Sequence, residues 1–467
     1  MSSDINQIDP RIKLFIGQNV DFSALSREKL KEALALDDIK EIVVLPDIHS
    51  KPDNPFPTGI VTLTDNTIYP FAIGQEIGCG MRVLKTSLNV NELNPSMIDA
   101  IFNNIKKKLR DGSKHKPLFK KEDYLRILLD GYTWAQEKFI LEEEKKGYVK
   151  SIKYQFEYPL EKEELMRVLP KDAFQAGYER IGALGGGNHF LELHAVDDIL
   201  DVKSAEKIGI GKGQAIFIFH TGSGTFSKRL DNYYGIRFEK NRPDKDIRKV
   251  FRKALFHFAD LDLSRFSQRR RLFFSKGFYG IPADSKEGKR YMKALGAAMN
   301  YSFANRSVIS DFIRQAFHES LERSLSIELL SDTSHERIDR EGLFWVHRNG
   351  ATKVHQAADK LLLIPSSMGG KSFLCTPENG VSQTHNSINH GVGRIFDKAE
   401  AKEKFQTGDI YKALESRSIR FYKLGNEDIR EQAPGAFKDI TKVIDSLKTN
   451  QLVRPVATTA PIAILKG

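Results

Sequence analysis

The sequence is poor in cysteine and tryptophan, with two of each among 467 residues. Two cysteines, Cys79 and Cys375, cannot build a disulfide framework and are typical of a reducing compartment, where a thiolate can also serve as a metal ligand. The N-terminus MSSDINQIDPRIKLF lacks the basic stretch and apolar core of a secretion signal. No apolar run approaches the roughly 18 residues of a membrane span. We therefore expect a soluble cytoplasmic protein that has no membrane partner.

The sequence also lacks internal repeats, long low-complexity linkers and a GxxxxGK[ST] phosphate loop. A chain of this length could hold two or three domains, but the absence of linkers argues against separately folding units. We predict a single domain over residues 1–467, with insertions at about 100–165 and 225–275. Any bound nucleotide must use a cradle other than a phosphate loop.

Positive charge exceeds negative charge by 72 to 61, a net charge of +11 that favours a polyanionic partner but also suits simple solubility. The first insertion carries the basic run IKKKLRDGSKHKPLFKK and then an amphipathic segment, and we expect a peripheral helical element with solvated charges. The second insertion interleaves bases with phenylalanine in RKVFRKALFHF and RFSQRRRLFF. These runs could follow a nucleic-acid backbone, or they could form helices with buried rings.

Short apolar runs bounded by glycine or proline predict buried strands. They are EIVVLP (41–46), AIFIFH (215–220), GLFWVH (342–347), KLLLIP (360–365) and PIAILK (461–466). A stripe of apolar residues at a spacing of four, following a Ser285 or Asp284 cap, predicts a helix that faces the core. The stripe consists of Tyr291, Leu295, Met299 and Phe303. The two patterns together indicate mixed α and β structure.

Five potential metal ligands lie in glycine-rich turns or at strand ends. They are Glu76 and Cys79 in IGQEIGCGMR, His189 in LGGGNHFLEL, His220 in FHTGSGT and His335 in SDTSHERI. Any one of these histidines alone could be an ordinary hydrogen-bonded residue. Five donors exceed the needs of one tetrahedral zinc, whereas a thiolate that bridges two ions would use them as two overlapping sets of three. Two ions suit phosphoryl chemistry, because they can activate a nucleophile and neutralise phosphate charge.

His390, in SINHGVGR, is not needed for such coordination. A neutral imidazole beside metal-bound phosphates is a competent nucleophile, and its attack on an α-phosphate would yield a histidine–nucleotide intermediate. Gly391 and Gly393 would let the backbone approach the nucleotide, and Arg394 could hold an anion. The segment PSSMGGKS (365–372) is a candidate nucleotide cradle. The alternative interpretation of SINHGVGR is a tight bend in a surface loop.

Nine motifs, in their order and spacing, resemble those of the RtcB family of RNA ligases. They are IGQEIGCGMR, LGGGNHFLEL, FHTGSG, SDTSHERI, VHRNGATK, PSSMGGKS, NHGVGR, EQAPGAFKD and AILKG. The resemblance extends from PDIH at Pro46 to the last residue and is interrupted by the two insertions. It implies a mixed α/β (α+β) fold, in which packed central β-sheets are surrounded by helices and the site lies in a cleft lined by strand ends and glycine turns.

The resemblance implies a ligase that uses GTP and two Mn²⁺ ions to join an RNA 2′,3′-cyclic phosphate or 3′-phosphate end to a 5′-hydroxyl end, in RNA repair or tRNA splicing. His390 would accept GMP, which then passes to the RNA 3′-phosphate and is displaced by the 5′-hydroxyl. Cys79 would bridge the two ions, with Glu76 and His189 in one set and His220 and His335 in the other. A need for an archease-like activator protein stays open.

The resemblance also implies contacts to the guanylate and to the RNA. The guanylate contacts are Asn188, His189, Phe190, Leu191, Glu192, His335, Glu336, Pro365, Ser366, Ser367, Met368, Ser372, His390, Gly391, Val392, Gly393 and Lys466. The RNA phosphate contacts are Arg348 and Arg394.

The sequence departs from the family pattern at several positions. Glu76 replaces an aspartate, Glu336 an asparagine, PSSMGG a PGSMGT, Phe437 a tyrosine, Gly224 an arginine and Asn349 a lysine. The last two changes remove cations of the kind that hold an RNA terminal phosphate, at about 1 kcal/mol or more for each contact. Arg348, Arg394 or a basic residue of the 225–275 insertion could substitute. Alternatively, the preferred RNA end differs, or the chain is a non-catalytic RNA-binding descendant.

Overall fold

The computed structural model describes residues 9–36, 38–50, 54–111, 113–139, 157–234, 280–321, 326–355 and 361–467. The strands are β1 (Ile12–Leu14), β2 (Ile39–His49), β3 (Thr58–Thr64), β4 (Thr67–Ile68), β5 (Gly80–Asn89), β6 (Phe190–Ile199), β7 (Gln214–Thr221), β8 (Ile281–Pro282), β9 (Ile327–Ser334), β10 (Glu336–Glu341), β11 (Phe344–Asn349), β12 (Ala351–Lys353), β13 (Leu362–Ile364), β14 (Ser372–Pro377), β15 (Ser387–Asn389), β16 (Arg420–Lys423) and β17 (Val453–Lys466). The helices are α1 (Ala24–Leu34), α2 (Pro95–Lys108), α3 (Lys121–Lys138), α4 (Leu165–Val168), α5 (Lys171–Arg180), α6 (Val202–Ile208), α7 (Thr225–Tyr234), α8 (Lys286–Leu321), α9 (Lys398–Lys404), α10 (Thr407–Glu415) and α11 (Ile440–Thr449).

Most of the described strands belong to two sheets. The larger sheet has the order β13-β14-β17-β6-β7-β5-β9, and β16 also pairs with β17. The smaller sheet has the order β1-β2-β3-β11-β10. Neighbours in both sheets are antiparallel except for β1 with β2 and β16 with β17. The five strands predicted from apolar runs are confirmed as β2, β7, β11, β13 and the second half of β17.

Helix α8 runs through the core of the molecule. The predicted stripe of Tyr291, Leu295, Met299 and Phe303 is buried, which confirms it as a core face. Ser285 caps the helix, since the Gly288 backbone N–H donates to its hydroxyl at 3.0 Å. Buried side chains occur on almost every side of the N-terminal two thirds of this helix, as expected for a helix enclosed by other elements.

The first insertion is not peripheral in the part that the structure describes. Helices α2 and α3 pack against α8, and their apolar residues, including Phe102, Ile127 and Trp134, belong to the main hydrophobic cluster. The basic residues that suggested a solvated element lie on the outer face of α2 and in the following loop. Of the second insertion only 225–234 is described, so both Phe-containing basic runs lie outside the described residues.

One hydrophobic cluster contains residues of both sheets, such as Ile42 and Val44 of β2 and Leu84 and Leu191 of the larger sheet. With helices α2, α3, α5, α7 and α8 packed against it, this arrangement confirms the mixed α/β class with packed sheets and helices. The single-domain organisation stays a prediction. None of the described helices combines the length and apolarity that a membrane crossing requires.

Candidate active site

The five predicted metal ligands lie at one end of the larger sheet. Glu76 and Cys79 are in the turn before β5, and His189 directly precedes β6. His220 is next to the last residue of β7, and His335 lies between β9 and β10. Since β6, β7, β5 and β9 are successive neighbours in the sheet, their ends bring together residues that are far apart in sequence.

The donor atoms form two overlapping groups that share Cys79. The Cys79 Sγ atom lies 3.3 Å from His189 Nε2 and 3.1 Å from His220 Nε2. His220 Nε2 is 3.2 Å from His335 Nε2, and Glu76 Oε2 is 2.8 Å from His189 Nε2. Within each group all donor atoms lie within 4.8 Å of one another, and the groups are Cys79, His220 and His335 on one side and Glu76, Cys79 and His189 on the other.

The electrostatics of this cluster fit a divalent metal. Burial lowers the pKa of both His220 and His335 well below its usual value, which keeps the rings neutral, as ligation requires. Burial, with Glu76 and Glu336 nearby, raises the pKa of the Cys79 thiol well above its usual value. A bound cation would reverse that effect and stabilise the thiolate. Among the described residues no group hydrogen-bonds the buried Nδ1 atoms of His189 and His335.

A buried ion network between α8 and the larger sheet holds the ligand loops. Arg306 of α8 donates to the carbonyl of Gly78 at 2.9 Å and to that of Thr221 at 3.4 Å. These carbonyls are adjacent in sequence to Cys79 and His220. The Asp332 carboxylate accepts from Arg306 Nε at 2.9 Å and from Arg82 Nε at 2.7 Å. This network was not predicted from the sequence, although charged residues within apolar stretches were a signal that buried ion pairs existed.

His390 lies beside this cluster, with its ring centroid 4.8 Å from that of His335. Its Nδ1 atom is 2.6 Å from Asp47 Oδ2 and 2.9 Å from the carbonyl oxygen of Gly350. Both partners are acceptors, so Nδ1 carries the proton and the lone pair of the neutral ring is on Nε2. Burial alone would lower the pKa of His390, but the hydrogen bond and charge of Asp47 raise it above its usual value.

Asp47 was not predicted as a site residue. It lies within β2 and is fully buried, and its signal in the sequence was an acidic residue directly after the apolar run EIVVLP. Position 393, three residues after His390, requires glycine. Its φ is +72°, and its contact with the Asp47 backbone leaves no room for a Cβ atom. The glycine turn therefore lets the His390 segment close against β2.

The residues predicted to contact guanylate come from five segments of the chain, which are 188–192, 335–336, 365–372, 390–393 and the end of β17. Lys466, at the end of β17, is the register partner of Phe190 at the start of β6, and its Nζ lies 5.7 Å from that ring centroid. Burial lowers the pKa of Lys466 to about 8. The 365–372 loop is closed by the Ser372 hydroxyl, which accepts from the Ser366 backbone N–H at 3.1 Å. Ser366 also lines a cleft of about 400 Å³ together with Phe437.

Glu336 has a structural role that its sequence position did not reveal. Its carboxylate accepts the backbone N–H of Gly74 at 2.5 Å and that of Gly350 at 3.1 Å. It thereby ties the Glu76 loop to the β11–β12 connection, next to His335.

Glu76, which stands where the family has an aspartate, still reaches the donor cluster despite its extra methylene. Its Oε2 atom lies 2.8 Å from His189 Nε2.

The two arginines predicted to bind RNA phosphate are committed to other groups. Arg348 is fully buried, and its contact with RNA phosphate stays a prediction. Its guanidinium donates to Asp339 at 2.6 Å and to Glu341 at 2.8 Å, and also to Ser387 and the His385 carbonyl. Arg394 donates to the carbonyls of Phe396 and Glu431 and stacks over Phe437, 4.6 Å from the ring centroid.

Asn349, the other departure at this edge, is also buried, and its amide donates to the carbonyl of Pro57 at 3.0 Å. Gly224 has a φ of +50°, and no atom of the described residues lies within 4 Å of a Cβ atom placed there. Among the residues that the structure describes, position 224 therefore has no packed neighbour, whereas position 349 is packed.

Comparison with known proteins matches residues 29–467 to a family model described as tRNA-splicing ligase RtcB. Similar curated proteins carry the same name. That of Methanococcus maripaludis is 29% identical over 426 residues, covering 86% of this chain and 82% of the relative. That of Thermococcus kodakarensis is 27% identical over 482 residues, covering 94% of this chain and 92% of the relative. Because the match spans almost the whole chain, the protein belongs to the RtcB family of RNA ligases.

Proposed function

We propose that this protein joins an RNA 2′,3′-cyclic phosphate or 3′-phosphate end to a 5′-hydroxyl end, using GTP and two Mn²⁺ ions, in tRNA splicing or RNA repair. The observation that carries the proposal is the pair of three-donor groups sharing Cys79 beside an oriented His390. Thiolate, imidazole and carboxylate together suit a transition ion. Bound ions would withdraw charge from phosphate oxygens and so make the phosphorus more electrophilic.

His390 is the proposed nucleophile. Asp47 and Gly350 hold the Nδ1 proton, so Nε2 can attack the α-phosphorus of GTP. The new N–P bond forms as the bond to the β-phosphate oxygen breaks, and pyrophosphate leaves. Where the RNA ends in a 2′,3′-cyclic phosphate, water first attacks its phosphorus and the 2′ oxygen leaves as a hydroxyl, which gives a 3′-phosphate. An oxygen of the RNA 3′-phosphate then attacks the same phosphorus of the guanylate and frees Nε2. The 5′-hydroxyl finally attacks the RNA phosphorus, releases GMP and forms the phosphodiester.

The proposed guanylate site lies between Lys466, the β6 segment and the 365–372 loop. Lys466 is partly buried at the end of β17, and its ammonium can donate to an oxygen of the base. Ser366 and Ser367 of that loop line a cleft of about 400 Å³. Glycines 391 and 393 allow the His390 backbone to approach the nucleotide without side-chain interference.

Covalent labelling tests the proposal. Incubation with GTP labelled on its α-phosphate and Mn²⁺ should give an acid-labile protein label, since a phosphoramidate is unstable in acid. His390→Ala should abolish the label because no other group is proposed to carry GMP. His115→Ala is a suitable control, because this histidine of the first insertion hydrogen-bonds Asp111 and Ser113 through its ring and is no part of the proposed machinery. Wild-type protein without any label would leave a non-catalytic RNA-binding protein as the surviving hypothesis.

A related activity with a different RNA end preference is favoured by the cation losses at Gly224 and Asn349 and by the burial of Arg348. In this alternative, guanylylation of His390 is kept and the terminus differs. The same purified protein would be offered RNAs bearing each combination of 3′ and 5′ ends. Exclusive joining of a 3′-hydroxyl to a 5′-phosphate would refute the first proposal while leaving the label intact. The cytoplasmic location and the activator protein stay predictions.

A further inference from the structure

Lys228 is a cation at the edge of the donor cluster that the proposed chemistry does not yet use. It lies in the first turn of α7, and its Nζ is 2.8 Å from Glu76 Oε1. The other oxygen of that carboxylate is 2.8 Å from His189 Nε2. The Lys228 side chain is 52% exposed, so its ammonium is open to solvent as well as to the site.

The position of Lys228 is set by the packing of α7. Phe226 and Leu230, on the inner face of this helix, are buried in the main hydrophobic cluster. Gln75, the neighbour of Glu76, donates to Asp231 at 3.2 Å and joins the helix to the ligand loop. Lys228 therefore projects from a helix that is packed on the core and hydrogen-bonded to the ligand loop. This packing places Lys228 close to Glu76.

Arg348 and Arg394 are both engaged by other groups, and most basic residues of the 225–275 insertion lie outside the described residues. Arg348 has no exposed surface, and Arg394 is held by two carbonyls and an aromatic ring. Position 224, one helical turn before Lys228, carries no side chain, and no described residue packs against it. Lys228 is thus a half-exposed cation in contact with the candidate metal ligand Glu76.

A divalent ion bound by Glu76 and His189 would compete with Lys228 for the same carboxylate. The ammonium and the metal ion would repel each other, and a lysine side chain has the rotamer freedom to leave. Phosphate oxygens drawn to the ions would then be the nearest anionic partner. We propose that Lys228 is a phosphate-binding residue of this site, paired with Glu76 until metal binds and with a terminal phosphate afterwards.

This inference rests on the proposed function for the source of the phosphate, which is either GTP or an RNA 3′-phosphate. The test compares wild type with Lys228→Met in two assays. Mn²⁺ affinity, measured calorimetrically without nucleotide or RNA, should be equal to wild type or up to about fivefold tighter, because an exposed competing ion pair is lost. At saturating Mn²⁺, affinity for the phosphate should fall about tenfold, the effect of one charge-assisted hydrogen bond.

Two arms of the second assay separate the sources of phosphate. One arm measures the KM for GTP in covalent labelling. The other compares binding of an oligoribonucleotide ending in a 3′-phosphate with its 3′-hydroxyl twin. A loss confined to GTP assigns Lys228 to the nucleotide, a loss confined to the 3′-phosphate RNA assigns it to the substrate end, and a loss in both assigns it to both. Lys228→Arg, which keeps the charge, should restore most of the affinity in the affected arm.

Lys212→Met is the matched control. Lys212 is an exposed lysine that pairs with Asp198 at 3.1 Å, just before the start of β7 and at the opposite end of that strand from His220. Its loss should change neither assay. If Lys228→Met changes neither phosphate arm, or if it weakens Mn²⁺ binding, the inference is wrong. Wild-type labelling is recorded in parallel, so failure of the proposed function shows as absent label and is separate from failure of this inference.

Discussion

Asp47 controls both the orientation and the proton position of the His390 ring. Its carboxylate accepts from Nδ1 at 2.6 Å and from the His390 backbone N–H at 3.3 Å. Gly59 makes room for it, because a Cβ atom there would lie 2.6 Å from Asp47 Oδ1. Asp47 is therefore a positioning residue that acts through His390 in the proposed chemistry.

We expect Asp47→Asn to slow covalent labelling by about tenfold to a hundredfold, because a charge-assisted hydrogen bond is lost and the ring can adopt the other tautomer. The measurement is the initial rate of labelling with α-phosphate-labelled GTP, together with Mn²⁺ affinity. The latter should be nearly unchanged, which separates a loss of orientation from a collapsed site.

The control for this prediction is Asp201→Asn. Asp201 caps α6 by accepting the Ser204 backbone N–H at 3.1 Å, and asparagine caps a helix equally well. Labelling by Asp201→Asn should equal that of wild type. A wild-type rate in Asp47→Asn would show that His390 needs no carboxylate partner.

At the scale of elements, α8 connects the core with the site. Asn305 donates to the carbonyls of Ala183 and Gly222 at 3.0 and 3.1 Å, and Ser302 donates to the carbonyl of Ile77 at 2.8 Å. With Arg306, these residues fix the loops before β5 and after β7 from a single helix. The rigidity of the ligand cluster therefore depends on the docking of α8.

We expect Arg306→Met to lower the free energy of unfolding by about 3–5 kcal/mol, because one member of a buried ion network is removed and Asp332 loses a partner. Mn²⁺ affinity should fall as well, since the Gly78 and Thr221 carbonyls lose their shared donor. Urea unfolding and calorimetry measure the two effects.

Arg126→Met provides the comparison for an exposed pair. Arg126 of α3 forms an ion pair with Glu137, and both side chains are more than half exposed. Its removal should cost less than about 1 kcal/mol and leave Mn²⁺ affinity unaltered. Equal effects of the two substitutions would mean that the buried network has no special part in holding the site.

At the scale of the whole molecule, the proposed metal centre joins segments that are distant in sequence. Its ligands come from positions 76 to 335, and four strand ends supply them. An ion bound only by the folded arrangement stabilises the fold by mass action, by about 2.7 kcal/mol at a concentration one hundred times its Kd. Metal binding and global stability should therefore be coupled.

We expect Mn²⁺ to raise the unfolding midpoint of wild type and to have little effect on Cys79→Ala, because the shared ligand is gone. Cys375→Ala is the matched control, since this second cysteine is also fully buried but lies in β14, within a hydrophobic cluster. It should be less stable than wild type at baseline yet keep the full Mn²⁺ response. An undiminished response in Cys79→Ala would show that the ions bind elsewhere.

Much of the fold was predictable from local patterns. Five apolar runs became strands and the stripe on α8 became a core face, because strand and helix periodicity follow directly from which residues must be buried. The placement of α2 and α3 was wrong because lysine-rich neighbours obscured an apolar face that packs on α8. Charge in a loop says little about the helix beside it.

The sequence by itself determined the family, the strand and helix types and the identity of the candidate ligands, because motif order and residue chemistry are local properties. Only the tertiary structure decided that these ligands share Cys79, that Asp47 holds His390, that Arg348 is enclosed by Asp339 and Glu341, and that Lys228 contacts Glu76. These contacts join positions that no local pattern relates. They exist because strand pairing and the docking of α7 and α8 bring those side chains within a few ångströms of each other.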